Sequence, residues 1–160
     1  MAASTTKKAV IRRFEKESLA GYVNPASYLQ PAGVELLSAQ GNVAIVAYDE
    51  IKSIAFVRDF DPGAEPERRL FNTRPKMEGL WVRLQFRDGD VMEGVLPNNL
   101  LQVEYHGFTV IPPDPYSNQQ RVFVPRVALR AVDVLGVVGS PLKRRKPKAV
   151  PKEQIGLFEE

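Results

Sequence analysis

Few residues in this 160-residue chain have the types and spacings that covalent chemistry needs. His106 is the only histidine, and there is no cysteine. Its neighbours Glu104 and Tyr105 invite a metal or general-base reading. One imidazole without a second histidine or a thiolate falls short of a metal ligand set. His106 is therefore read as a surface or turn residue. Asp88, Asp90 and Glu93 gather carboxylates round one hairpin. Paired carboxylates do acid–base work when a cleft holds them, whereas these are expected on a solvated turn. Asp114 and Asn118 fall in a proline-rich loop and could bind a cation, but capping of that loop is the reading preferred. Gly33, Gly41, Gly63, Gly89 and Gly107 form no phosphate-cradling pattern. A single histidine so placed assembles no Ser-His-Asp set. The expectation is a protein that is not an enzyme, with no catalytic residue, no metal site and no cofactor.

Two stretches near the C-terminus have binding chemistry instead. Lys143, Arg144, Arg145, Lys146 and Lys148 form a basic run interrupted by prolines. Such a run touches nucleic acid or an acidic membrane surface, or merely keeps a tail soluble. It is followed by Gln154-Ile155-Gly156-Leu157-Phe158. That peptide resembles the Gln-Leu-x-Leu-Phe segment by which bacterial replication and repair proteins dock on the sliding clamp. The resemblance implies contacts from Gln154, Ile155, Leu157 and Phe158, with the Leu-Phe pair entering a pocket and the glutamine hydrogen-bonding beside it. The alternative is an apolar end that folds back on the body of the protein.

Charge divides along the same line. The net charge is +3, yet residues 141–160 hold six Lys/Arg against three Asp/Glu, while residues 1–140 hold sixteen of each. A neutral body argues against a broad nucleic-acid surface on the folded part. Hydrophobic content of 44% suffices for a packed core. No run is long enough to span a bilayer, and the first residues lack the apolar centre of a secretory signal. With no cysteine, the expected compartment is the cytoplasm.

The elements that hold these residues read as short strands. In Trp81-Val-Arg-Leu-Gln-Phe-Arg-Asp-Gly-Asp-Val-Met-Glu-Gly-Val-Leu96, Val82, Leu84 and Phe86 alternate with Arg83, Gln85 and Arg87. Asp88-Gly89 is a hairpin turn, and Gly94 permits a bend in the second strand. A weaker copy runs from Val10 to Val23. Residues 33–37, 43–48 and 51–57 read as three more strands, with residues 27–32 as a loop. The second series continues at 107–111, 121–124 and 127–135. Gly21 precedes Gly94 by 73 residues, Gly33 precedes Gly107 by 74, and Ile54 precedes Val132 by 78. The order of features is kept, which is the signature of an internal repeat. Five short strands per unit, with a glycine bend in the second, predict a small closed barrel.

The fold class expected is all-β. Residues 8–60 form a first small barrel, 61–79 a linker, 80–139 a second barrel, and 140–160 a disordered basic tail. Trp81 is placed for the interface by which a barrel packs on the other barrel or on the linker. The run Val82 to Leu96, with Val122-Phe-Val124 and Val127 to Leu135, resembles Sm-like and SH3-like small barrels. Ile51 to Phe60, Gly107 to Asn118 and Arg121 to Val124 resemble a bacterial family of tandem small barrels of unknown function, over roughly residues 8–138. Sm-like RNA binders carry Arg-Gly or Lys-His at the last corner. The matching corners here are Tyr48-Asp49-Glu50, which is acidic, and Pro125-Arg126. The resemblance therefore implies fold rather than RNA binding. The leading expectation is an interaction or adaptor protein with a protein partner, binding through the groove between barrels and the Pro112–Gln120 loop. The alternative is nucleic-acid association through the tail, or clamp docking through Gln154–Phe158.

Overall fold

A computed structural model describes residues 6–61, 68–114, 116 and 118–139. The chain is all-β, with strands and short 3-10 turns. The first half contains β1 (Lys7–Arg13), β2 (Lys16–Val23), β3 (Leu29–Gln30), β4 (Gly33–Leu37), β5 (Val43–Val46) and β6 (Ile51–Val57). The second contains β7 (Gly79–Phe86), β8 (Val91–Leu96), β9 (Gly107–Val110), β10 (Gln119–Pro125) and β11 (Leu129–Val138). A 3-10 turn joins β5 to β6 at Tyr48–Glu50, and another joins β10 to β11 at Arg126–Ala128. Among the described residues no helix is long and apolar enough to cross a membrane.

Two sheets result. One runs β3-β4-β2-β1-β6-β10-β9, with β5 added on β4; the other is β11-β7-β8. A bridge between Val95 and Ile111 links β8 to the chain just beyond β9. The strands of each half neighbour one another, antiparallel, in the same order. In the first, the last strand pairs the first (Ile54 with Ile11) and the first pairs the second (Ile11 with Leu19). In the second, Val132 pairs Leu84, and Leu84 pairs Met92.

The glycines show why the chain needs them. A Cβ on Gly33 would lie 2.3 Å from the Val46 carbonyl oxygen, and one on Gly107 would lie 2.2 Å from that of Val124. A Cβ on Gly21 would meet the Leu37 oxygen at 2.6 Å, and one on Gly94 the Ile111 oxygen at 3.2 Å. At Gly21, Gly33 and Gly107 backbone approaches backbone too closely for any side chain, and at Gly94 the Val110 side chain, 2.7 Å from the added Cβ, fills the space.

Alternation sets the cores. Val82, Leu84 and Phe86 are buried while Arg83 is exposed, as period 2 requires. One cluster holds Ile11, Val23, Val34, Ile51 and Ile54; the other holds Val82, Leu84, Phe86, Val110 and Val124. The clusters exchange members. Phe123 of β10 lies in the first, and Phe14 of the first half packs on the second. The cause is a ladder across the halves, in which Arg121, Val122 and Phe123 pair with Phe56, Ala55 and Ile54.

Of the two surfaces expected for Trp81, the linker is the one its ring meets: Phe71 stands edge-on to it at 6.3 Å. The segment expected as a loop at 27–32 contains the short strand β3.

Candidate functional site

Between the halves runs a groove of about 830 Å³. Tyr28 and Phe56 line one side; Phe108, Thr109, Val110 and the end of β8 line the other. The Tyr28 ring stands edge-on to Phe56 at 5.6 Å and to Phe123 at 6.0 Å. Lys7, Arg121, Glu78 and Glu104 give the lining charges of both signs. Burial, reinforced by the Glu104 carboxylate, pushes the Tyr28 hydroxyl well above its ordinary pKa, against a lowering hydrogen bond with Thr109. Burial and Glu104 also raise Tyr48. Both phenols are neutral hydrogen-bonding groups at physiological pH rather than nucleophiles.

The backbone of β9 supplies the site's main feature. Successive residues of an antiparallel strand turn their N–H and C=O groups to alternate sides. Ile111 exchanges both bonds with Val95, each at 3.0 Å. Thr109, two residues earlier, turns its N–H and C=O the same way, along the groove. In the first half the corresponding edge of β4 is filled. Leu37 pairs Tyr22, Gly33 pairs Gln30, and the Glu35 N–H donates to the Tyr28 carbonyl at 2.9 Å. Among the described residues the Thr109 N–H makes no such backbone bond.

Local sequence explains the opening. The Asn99 side chain accepts from the Leu101 N–H at 3.0 Å and starts a 3-10 turn over Leu100–Gln102. The Arg126 guanidinium donates to the carbonyls of Tyr105 (2.7 Å) and Glu104 (3.2 Å), and covers the Phe108 ring at 4.9 Å. His106 stacks on Tyr48 at 4.4 Å. These contacts tie residues 104–106 to the corners and away from β9. His106 is thus a half-buried stacking residue at the junction of the halves. Leu100, Leu101 and Tyr105 are exposed on the same loop.

The hairpin carboxylates separate into two roles. Asp88 and Asp90 lie at the surface, and both bind the Lys52 ammonium of β6. Glu93 departs from the expectation of a solvated turn. It is 4% exposed. It accepts from the Phe71 N–H (3.1 Å), the Trp81 indole N–H (3.3 Å) and Arg83 (3.1 Å). The Glu93 N–H donates to the Arg69 carbonyl at 2.8 Å, so the connector is strapped on β8. The cross-strand pairing of Arg83 with Glu93, equidistant from Asp88, was the signal that places it.

Asn118 reaches out of its loop to the first half. It clamps Asp59 at the end of the first half, accepting from its N–H at 2.8 Å and donating to its carbonyl at 3.0 Å. Beside that loop, Phe71, Pro75, Pro113, Asp114 and Tyr116 line a second hollow of about 890 Å³. Among the described residues no three His, Asp or Glu side chains are placed to hold a metal ion. The tail residues Lys143, Arg144, Arg145, Lys146, Lys148, Gln154, Ile155, Leu157 and Phe158 lie outside the described residues.

These features define an all-β protein whose two halves share a ladder and a groove. The chain belongs to the family of unknown function DUF6982, whose profile matches residues 5–136. No curated protein and no solved structure matches it.

Proposed function

We propose that this protein is a non-catalytic adaptor that takes an extended segment of a protein partner as an added strand on β9. In this reading each half is one copy of a duplicated small barrel of the SH3/Sm kind. The single observation that carries the proposal is the open edge at Thr109, inside a groove, where the other half fills the same edge with β3. Main-chain bonds along such an edge give affinity, and side chains alternating into Tyr28, Phe56 and Phe108 give selectivity. Lys7, Arg121 and Glu104 would set the polarity of the partner's flanks.

The test is a peptide selected from a random display library against the full chain. It should slow hydrogen exchange at the Thr109 amide. Thr109→Pro, which deletes that donor, should weaken binding roughly tenfold or more. A selected peptide that binds the proline variant as well as the parent would overturn the proposal.

A second reading rests on the sequence of the tail. Lys143–Lys148 would contact nucleic acid, or Gln154–Phe158 would dock on the sliding clamp. Its support is the segregation of positive charge into residues 141–160. A salt-dependent nucleic-acid shift lost on deleting those residues would favour it. So would clamp capture lost with the last seven residues. No shift at low salt and no capture would reject it.

A further inference from the structure

The ladder between the halves joins two unlike strands: the one that leaves a 3-10 turn in the first half (β6), and the one that enters a 3-10 turn in the second (β10). The chain owns one more strand of each kind. β5 enters the turn at Tyr48–Glu50, and β11 leaves the turn at Arg126–Ala128. Neither has a strand on its far edge among the described residues. A heterologous contact of this sort leaves its two complementary surfaces free at opposite ends, ready for another copy.

The exposed side chains fall where such a contact needs them. A shift of 78 residues, which carries Val46 to Val124 and Ile51 to Leu129, carries Ile45 to Phe123 and Val134 back to Phe56. Phe123 is 0% exposed inside the existing ladder, while Ile45 is 50% exposed. Val43 is 56% exposed and Val134 is 61% exposed. An apolar, β-branched edge of this kind is normally covered or blunted by charge.

Charge repeats the pattern. Across the existing ladder Lys52 of β6 binds Asp88 and Asp90 of the β7–β8 turn. Arg130 stands in place of Lys52 on β11, and Glu15 of the β1–β2 turn and Glu17 at the start of β2 stand in place of the two aspartates. All three are exposed.

We infer that β5 of one chain pairs antiparallel with β11 of a second copy, in the register of the internal ladder. Val43 then lies opposite Val134, Ala44 opposite Asp133 and Ile45 opposite Val132, with Arg130 reaching Glu15 and Glu17. The assembly is head-to-tail and grows until it closes on itself. The inference rests on the correspondence between the halves, not on a peptide in the groove.

The absence of cysteine permits a clean test. Full-length Val43→Cys and Val134→Cys chains are oxidised separately and mixed, at the same total concentration. The mixture should give a covalent dimer at least tenfold faster than either variant alone. Cross-linking no faster in the mixture, or faster within one variant, overturns the inference. Arg130→Glu in the Val134→Cys chain should slow the reaction, and Glu15→Arg with Glu17→Arg in its partner should restore it. Failure of the charge reversal to change the rate overturns the salt-bridged register. A Thr109 peptide site would survive either failure, so the two readings separate.

Discussion

The outer edges of β4 and β9 hold similar places in their halves and are treated in two ways. On β4, Asn24 turns the chain at once. Its side chain accepts from the Ala26 N–H at 2.9 Å, and its carbonyl accepts from Ser27 and Tyr28. Tyr28, Leu29 and Gln30 are thereby returned to pair with β4. On β9, Asn99 makes a 3-10 turn instead, and the returning residues are held at the corner. Even the corner contact is shared: the Tyr48 hydroxyl donates to the Gln30 carbonyl at 2.6 Å, where Arg126 donates to Glu104. The order in which strands pair is alike in the two halves, and the treatment of one strand edge distinguishes them.

The largest effect should come from the shared scaffold. Gly33→Ala and Gly107→Ala each force a Cβ against a carbonyl oxygen. Each should cost about 3 kcal/mol, within the usual range for overpacking. Urea denaturation checks this, and a large cost at one glycine with none at the other would break the correspondence.

Next comes a strap that one half alone possesses. Glu93→Ala strands the Trp81 and Phe71 donors and leaves Arg83 unpaired, at a cost of about 2–3 kcal/mol. The matching position in the first half is Ala20, which makes no such contact. Protease cleavage in the connector should quicken in the Glu93 variant, because the strap is released at Phe71. An unchanged cleavage rate would remove Glu93 from that role.

A third pair tests the edge itself. Glu35→Pro removes a donor that is bonded to Tyr28, and should cost about 2–3 kcal/mol. Thr109→Pro, measured against Thr109→Val, which already lacks the hydroxyl bonded to Tyr28, removes one that is not, and proline is tolerated where a strand's N–H faces an open edge. Its cost should be less than half as large. Equal costs would mean that β9 is not open.

Much of this was legible in the chain. The hairpin over Trp81–Leu96 shows in its alternation and its Asp-Gly turn, both local signals. The glycines at 21, 33, 94 and 107 mark close backbone approaches, which leave a residue type that sequence can report. β3 was not legible, because two residues have no period and Asn24 sets their pairing. The β6–β10 ladder was not legible either, since nothing local states which edge meets which. Val43–Val46 reads as an apolar, β-branched strand, yet three of its residues are exposed. Apolarity on an edge reports that something covers it, without reporting what. The open edge of β9 escaped for a further reason: it is made of backbone groups, which every sequence carries alike.

The smallest effect concerns the ion pair that crosses the halves. The Lys52 ammonium, chiefly by hydrogen bonding, holds the Asp88 and Asp90 carboxyls below their ordinary 3.8. Burial alone would lower Lys52, but its bonds to the two carboxylates prevail and raise it above 10.5. The depressed carboxyls stabilise the fold above pH 3.8, and that contribution fades as pH falls through their lowered values. The raised ammonium contributes fully below pH 10.5 and loses its share as pH rises through its own folded value. Stability from this cluster is therefore level between those limits. Lys52→Met should lower it at neutral pH by less than about 1 kcal/mol, because both carboxylates are well solvated. It should also flatten the fall in stability below pH 3.8. Arg130→Met, at the matching place on β11, should leave the acid limb unchanged in a dilute single chain and flatten it only where copies associate. Urea titrations across pH at two protein concentrations separate the cases, since an acid limb that ignores both substitutions would detach these charges from the joining of halves.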